Sequence, residues 1–89
     1  MIKKKGVTFQ IHLKEDTDLV FVAGTFNMWN PFKHKLTKKD GIYSILISLP
    51  QGIIQYKFVV KGTWIPDPCC DSWVVNGYGS LNSVLMVEV

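Results

Sequence analysis

Two tryptophans stand among turn-forming and polar residues, Trp29 between Met28 and Asn30, and Trp64 just after the reversal Lys61-Gly62. A large aromatic side chain left in water costs solubility unless something covers it. The apolar C–H face of a pyranose ring matches an indole plane, and covering ~80–100 Å² per stacked ring yields about 2–2.5 kcal/mol at ~25 cal/mol/Å². Two such platforms hold two sugars of one chain. Sugar hydroxyls also want donors and acceptors, which an outward Lys57 and a loop Asn82 supply at about 0.5–1.5 kcal/mol each. Taken singly, each tryptophan reads equally well as a cap on the edge of a core, and Lys57 as a plain solvent-facing lysine; the combination shifts the weight towards sugar. Trp73 is followed by the apolar pair Val74 and Val75 and is read as packed.

Catalysis asks for two positioned carboxylates, a nucleophile with its base, or a metal. Glu15, Asp16 and Asp18 crowd one turn, and Asp40, Asp67, Asp71 and Glu88 are single acids in turns or near a terminus. His12 falls on the polar side of the first strand and His34 follows a turn, so both read as exposed histidines. The cysteines Cys69 and Cys70 are adjacent, a spacing that rarely reaches disulfide geometry, and they read as reduced thiols. With only two scattered histidines beside them, a four-ligand metal site is not expected. The expectation is a non-enzyme with no metal and no cofactor.

The elements that must position these residues are strands. Residues 7–13 alternate, with Val7, Phe9, Ile11 and Leu13 on one face, and residues 19–23 are apolar on both faces, as in a central strand. Residues 24–32, GTFNMWNPF, hold turn formers that stop that strand, among them Gly24, Asn27, Asn30 and Pro31. Asp40-Gly41 is a hairpin signal leading into residues 42–49, whose inward set is Tyr43, Ile45, Ile47 and Leu49. Residues 54–60 alternate again, with Ile54, Tyr56, Phe58 and Val60 inward and Gln55, Lys57 and Val59 opposite. Pro66-Asp67-Pro68 ends any ladder there, residues 76–80 form a loop, and residues 84–89 make a last strand. No window keeps a 3.6-residue apolar period, so essentially no helix is expected, and short strands with a turn signal every 8–12 residues make an all-β, antiparallel β-sandwich the default.

At 89 residues and 47% hydrophobic content the chain reads as one domain, residues 1–89, with residues 1–6 expected to be frayed. The net charge is +3 and the pI about 9.0, which alone could suggest a polyanion. Yet Lys3, Lys4 and Lys5 sit at the terminus, Lys33, Lys35, Lys38 and Lys39 flank a turn, and there is no arginine to make bidentate phosphate or guanine contacts. Neither nucleic acid nor membrane is an expected partner, since no apolar run approaches the ~20 residues needed to cross a bilayer. The Met-Ile-Lys-Lys-Lys start runs into Gly6 and a strand rather than an apolar signal region, and the chain is read as cytoplasmic.

Five segments, in order, then make a resemblance: GTFNMW at 24–29, DGIYSILISLPQG at 40–52, QYKFVVKGTW at 55–64, Asp67-Pro68, and GYGSLNSV at 77–84. Together they resemble carbohydrate-binding module family 48, which includes the glycogen-binding domain of the AMP-activated protein kinase beta subunit and the N-terminal modules of branching and debranching enzymes. The resemblance implies an immunoglobulin-like sandwich that binds α-glucan without chemistry of its own. It implies stacking tryptophans at Trp29 and Trp64, the family lysine at Lys57 and the family asparagine at Asn82, with Ser80 at a sugar-contacting Thr/Ser position. Tyr78 replaces the aliphatic residue that the kinase domain projects into the turn of the glucan, and Ser83 replaces a second asparagine; a tyrosine can still stack on a sugar. The expected ligand is glycogen, starch or maltodextrin, with a separate enzyme or kinase subunit as a possible protein partner. The competing reading is a scaffold domain that docks on a larger enzyme through Val59 and its edge strands and touches no sugar.

Overall fold

The computed structural model describes residues 3–89; Met1 and Ile2 lie outside the described residues. Nine strands occur among the described residues, in chain order: β1 (Lys4–His12), β2 (Val20–Gly24), β3 (His34–Lys35), β4 (Thr37–Lys39), β5 (Ile42–Pro50), β6 (Gly52–Val60), β7 (Thr63–Ile65), β8 (Ser72–Val75) and β9 (Leu81–Val87). The one helical element among the described residues is a single 3-10 turn, Thr25–Asn27, after β2. Among the described residues, no helix is long and apolar enough to cross a membrane.

The strands form two antiparallel sheets. The small sheet runs β1-β5-β4 and the large one β3-β2-β6-β9-β8, with β7 also on β6. One edge of β6 carries β2; the other carries β9 along residues 52–56 and β7 along 58–60. The period-two pattern decides what each face meets. Phe9, Ile11, Tyr43 and Leu49 from the small sheet join Val20, Val22, Ile54, Tyr56, Phe58, Val60 and Val87 from the large sheet in one buried core. The chain is thus the all-β antiparallel sandwich that the alternation predicts.

Both two-residue reversals behave as read. Asp40 and Gly41 lie at φ 53° and 79° between β4 and β5, and Lys61 and Gly62 at φ 50° and 82° between β6 and β7, the positive pair that a twist-matched hairpin turn requires. The chain start departs from expectation. Lys4, Lys5 and Gly6, read as frayed, pair with Pro50, Leu49 and Ser48. The ladder uses backbone groups, so the lysine side chains stay in water while their peptide units bond to β5.

Gly24 does end the strand, as read, but in strand rather than turn conformation. It is the last residue of β2, extended at φ −170°, and pairs with Tyr56. Its glycine identity answers to space rather than conformation, because a Cβ there would lie 2.5 Å from the Gln55 carbonyl oxygen and 2.9 Å from the Tyr56 Cβ. That absence lets the following turn lie close against β6.

Candidate functional site

The alternation that sends Tyr56 and Phe58 into the core sends Gln55, Lys57 and Val59 to the outer face of the large sheet. Val59 pairs with Trp64 across the β6–β7 hairpin, so the indole is mounted on this face by strand register alone. It remains 40% exposed. Asn82 reaches the same face from β9, and its Nδ2 donates to Gln55 Oε1 at 3.1 Å.

Trp29 arrives by a different route. After the 3-10 turn, Met28 and Trp29 both take left-handed conformations, φ 56° and 58°, each costing of order 1–3 kcal/mol for a residue other than glycine. The strain persists because the turn is tied down. Trp29 N–H donates to the Gly24 carbonyl at 2.9 Å, and Asn30 N–H to the Asn27 carbonyl at 3.2 Å. The buried Asn27 side chain accepts from Gly24 N–H at 2.9 Å and donates to the Val22 carbonyl at 3.1 Å. The indole ends half-buried, facing the same groove as Trp64.

The third wall is the loop at 76–80. Asn76 closes it: its Oδ1 accepts from the N–H groups of Tyr78 (2.8 Å) and Ser80 (3.2 Å), and its N–H donates to the Ser80 carbonyl at 2.8 Å. Asn76 Nδ2 then donates to Ser80 Oγ at 2.7 Å and Asn82 Oδ1 at 3.0 Å. Lys57 Nζ donates to Ser80 Oγ at 2.8 Å. Side chains from β6, β9 and the loop are therefore cross-linked into one polar floor, with Tyr78 at the rim, 97% exposed. Behind this wall Tyr56 anchors the β7–β8 connection, its hydroxyl donating to Asp67 Oδ2 at 2.7 Å. Burial, with the Asp67 carboxylate beside it, pushes the Tyr56 phenol well above its ordinary range and keeps it a donor.

The result is one open groove of about 610 Å³, within the usual range for small-molecule sites. All six residues singled out from sequence line it: Trp29, Lys57, Trp64, Tyr78, Ser80 and Asn82. Thr25, Gln55 and Asn76 line it as well and were missed. Gln55 was legible, since it shares a strand face with Lys57 two residues on. Asn76 looked like an ordinary loop residue, and its role comes from the loop folding back on it. Among the described residues, Lys57 is the one charged group in the lining, flanked by aromatic rings, amides and hydroxyls. That chemistry suits an uncharged polyol with an apolar face: rings to stack on, and donors and acceptors within reach.

Four readings need correction. Lys57 faces outward but is only 7% exposed, because the 76–80 loop closes over it. Asn82 belongs to β9, not to a loop, and is buried. Trp73, read as packed, is 41% exposed, since β8 is an edge strand whose residues all remain accessible; its Nε1 donates to the Asp67 carbonyl at 3.2 Å. Val59, the contact residue of the docking alternative, is 3% exposed and offers no surface. Cys69 and Cys70 are free thiols, and no cluster of three or more metal-ligating side chains occurs among the described residues.

A family model described as the glycogen recognition site of AMP-activated protein kinase matches residues 7–89. Among curated proteins, the chain is 36% identical over 69 residues to 5'-AMP-activated protein kinase subunit beta-2 of Mus musculus, covering 78% of this chain and 25% of that protein. It is 35% identical over 69 residues to subunit beta-1 of Sus scrofa, covering 78% of this chain and 54% of that one, and equally identical to subunit beta-1 of Rattus norvegicus, of which 24% is covered. The chain thus spans about a quarter of the length of most of these relatives.

Proposed function

Because the chain belongs to the family of the glycogen recognition site of AMP-activated protein kinase, we propose that its groove binds an α-1,4-glucan such as glycogen, starch or maltodextrin by tryptophan stacking. It is a recognition module rather than an enzyme. In this reading Trp29 and Trp64 each carry one glucose ring, Tyr78 extends the platform at the rim, and Lys57, Ser80 and Asn82 hold hydroxyls from the floor. Gln55, Thr25 and Asn76 add polar contacts or hold those that do.

One observation supports this above the others: six side chains scattered over 54 positions, from residue 29 to residue 82, converge on one groove with a single charge in its lining. A domain kept only as a docking scaffold has no use for that convergence, and its proposed contact residue Val59 is buried. The relatives are named as kinase subunits, and the reading extends to a cytoplasmic module that brings a partner kinase or glucan-active enzyme to its polysaccharide.

Two stacks and a few hydrogen bonds, less the cost of association, put the dissociation constant at roughly 10 μM to 1 mM. Isothermal titration with β-cyclodextrin and maltoheptaose measures it. Absence of both heat and a tryptophan fluorescence change at millimolar sugar overturns the reading.

A further inference from the structure

The turn that carries Trp29 leans on one titratable ring. Asn27 has its amide orientation decided by the backbone: Oδ1 accepts from Gly24 N–H and Nδ2 donates to the Val22 carbonyl, and neither backbone group can reverse its role. The second hydrogen on Nδ2 faces His34 Nδ1 at 2.9 Å. An amide N–H₂ offers no acceptor there, so Nδ1 must accept. The ring is consequently neutral, with its proton on Nε2.

An imidazolium carries a proton on both nitrogens. Its Nδ1–H would oppose the Asn27 N–H₂, donor against donor. Flipping the Asn27 amide gives no escape, because it would set N–H₂ against Gly24 N–H and oxygen against the Val22 carbonyl. The other groups around His34 do not favour its charge through an ion pair. Lys33 precedes it, Lys4 lines the same shallow depression as the ring, and among the described residues no carboxylate lines that depression. From the 3-10 turn the Phe26 ring approaches to 5.6 Å between centroids. Burial first, then the Lys33 charge, hold His34 below the ordinary histidine value.

We propose that His34 is a positioning residue for the Trp29 platform: its neutral ring locks Asn27, Asn27 holds the left-handed turn, and protonation releases the turn and weakens glucan binding. The inference rests on the groove being the glucan site. Its sign follows from linkage. The fold prefers neutral His34, so the unfolded chain binds more protons across this window. The contribution is complete above the unfolded value of about 6.5 and is lost as pH falls through the lower folded value.

The test combines calorimetry with NMR on the whole chain. Titration with β-cyclodextrin at about pH 7.5 and at a pH below the His34 midpoint, located by NMR, is expected to show affinity about tenfold weaker in acid, the equivalent of one buried hydrogen bond. His34→Gln, whose carbonyl can accept from Asn27 but cannot titrate, is expected to bind equally well at both. Nitrogen-15 shifts of the wild-type ring at neutral pH should show Nδ1 unprotonated, and the Trp29 amide shift and exchange rate should follow the His34 titration. A flat wild-type affinity, a protonated Nδ1 at neutral pH, or an undiminished acid loss in His34→Gln overturns the proposal. If β-cyclodextrin binds at neither pH, the groove reading fails instead, and the Trp29 amide decides: moving with His34 it upholds the positioning role, and standing still it removes it.

Discussion

Trp64 and Trp29 face one groove but are mounted by opposite means. Trp64 sits on a three-residue strand in register with Val59, in extended backbone that costs nothing to hold. Trp29 sits in a pair of left-handed residues that ordinary side chains resist, and it stays there because the buried Asn27 amide satisfies Gly24, Val22 and His34 together. A platform on a ladder is as stable as the sheet. A platform on a strained turn is only as stable as its polar network, and so can be loosened without unfolding the domain.

Substitutions should separate the two mounts. The largest effect is expected from Asn27→Ala, which strands a buried N–H and a buried carbonyl; urea unfolding should show a loss of about 2–4 kcal/mol, with sugar affinity falling although no sugar-facing atom was removed. Trp64→Ala should do the converse. Calorimetry with β-cyclodextrin should lose the value of one stack, about 2–2.5 kcal/mol or 30–70-fold, while stability to urea falls by less than in Asn27→Ala, since the residue is already 40% exposed and its removal strands no buried polar group. A Trp64→Ala protein that unfolds as readily as Asn27→Ala would break the comparison.

Lys57→Met sharpens it from the floor of the groove. The variant keeps a stem of similar length under the 76–80 loop but removes the donor to Ser80, so affinity should drop about tenfold with stability nearly unchanged by thermal melting. The smallest effect has the opposite sign. Met28 is 91% exposed at φ 56°, and Met28→Gly should stabilise the domain by about 0.5–1 kcal/mol in urea by relieving the left-handed strain, partly offset by the freer unfolded chain.

Much of this was legible in the chain. Residues 54–60 alternate cleanly, which separates Tyr56 and Phe58 from Gln55 and Lys57, and the Asp40-Gly41 and Lys61-Gly62 pairs declare their turns. Trp29 and Trp64 stand out because large rings among turn formers are unusual as core residues, and although either alone reads equally well as a core-edge cap, the pair together with Lys57 and Asn82 does not. What misled was reading exposure from residue type. Lysine suggested an open Lys57 and a frayed start, yet a loop covers the first and the ladder claims Lys4 to Gly6. The apolar neighbours of Trp73 suggested packing, yet an edge strand leaves it half in water.

Local pattern determined the long strands, the two hairpins, the inward residues and the candidacy of Trp29, Trp64 and Lys57, because alternation and turn chemistry act over a few residues. It left the short strands at residues 34–35, 37–39 and 72–75 unread, and Tyr78 and Ser80 came forward only through the family resemblance. Only the tertiary structure decided that Asn76 ties Ser80 to Asn82, that Gly24 must lack a Cβ, and that His34 reaches Asn27. Those contacts depend on where a loop or turn comes to rest against a distant strand, and no short-range preference encodes that distance.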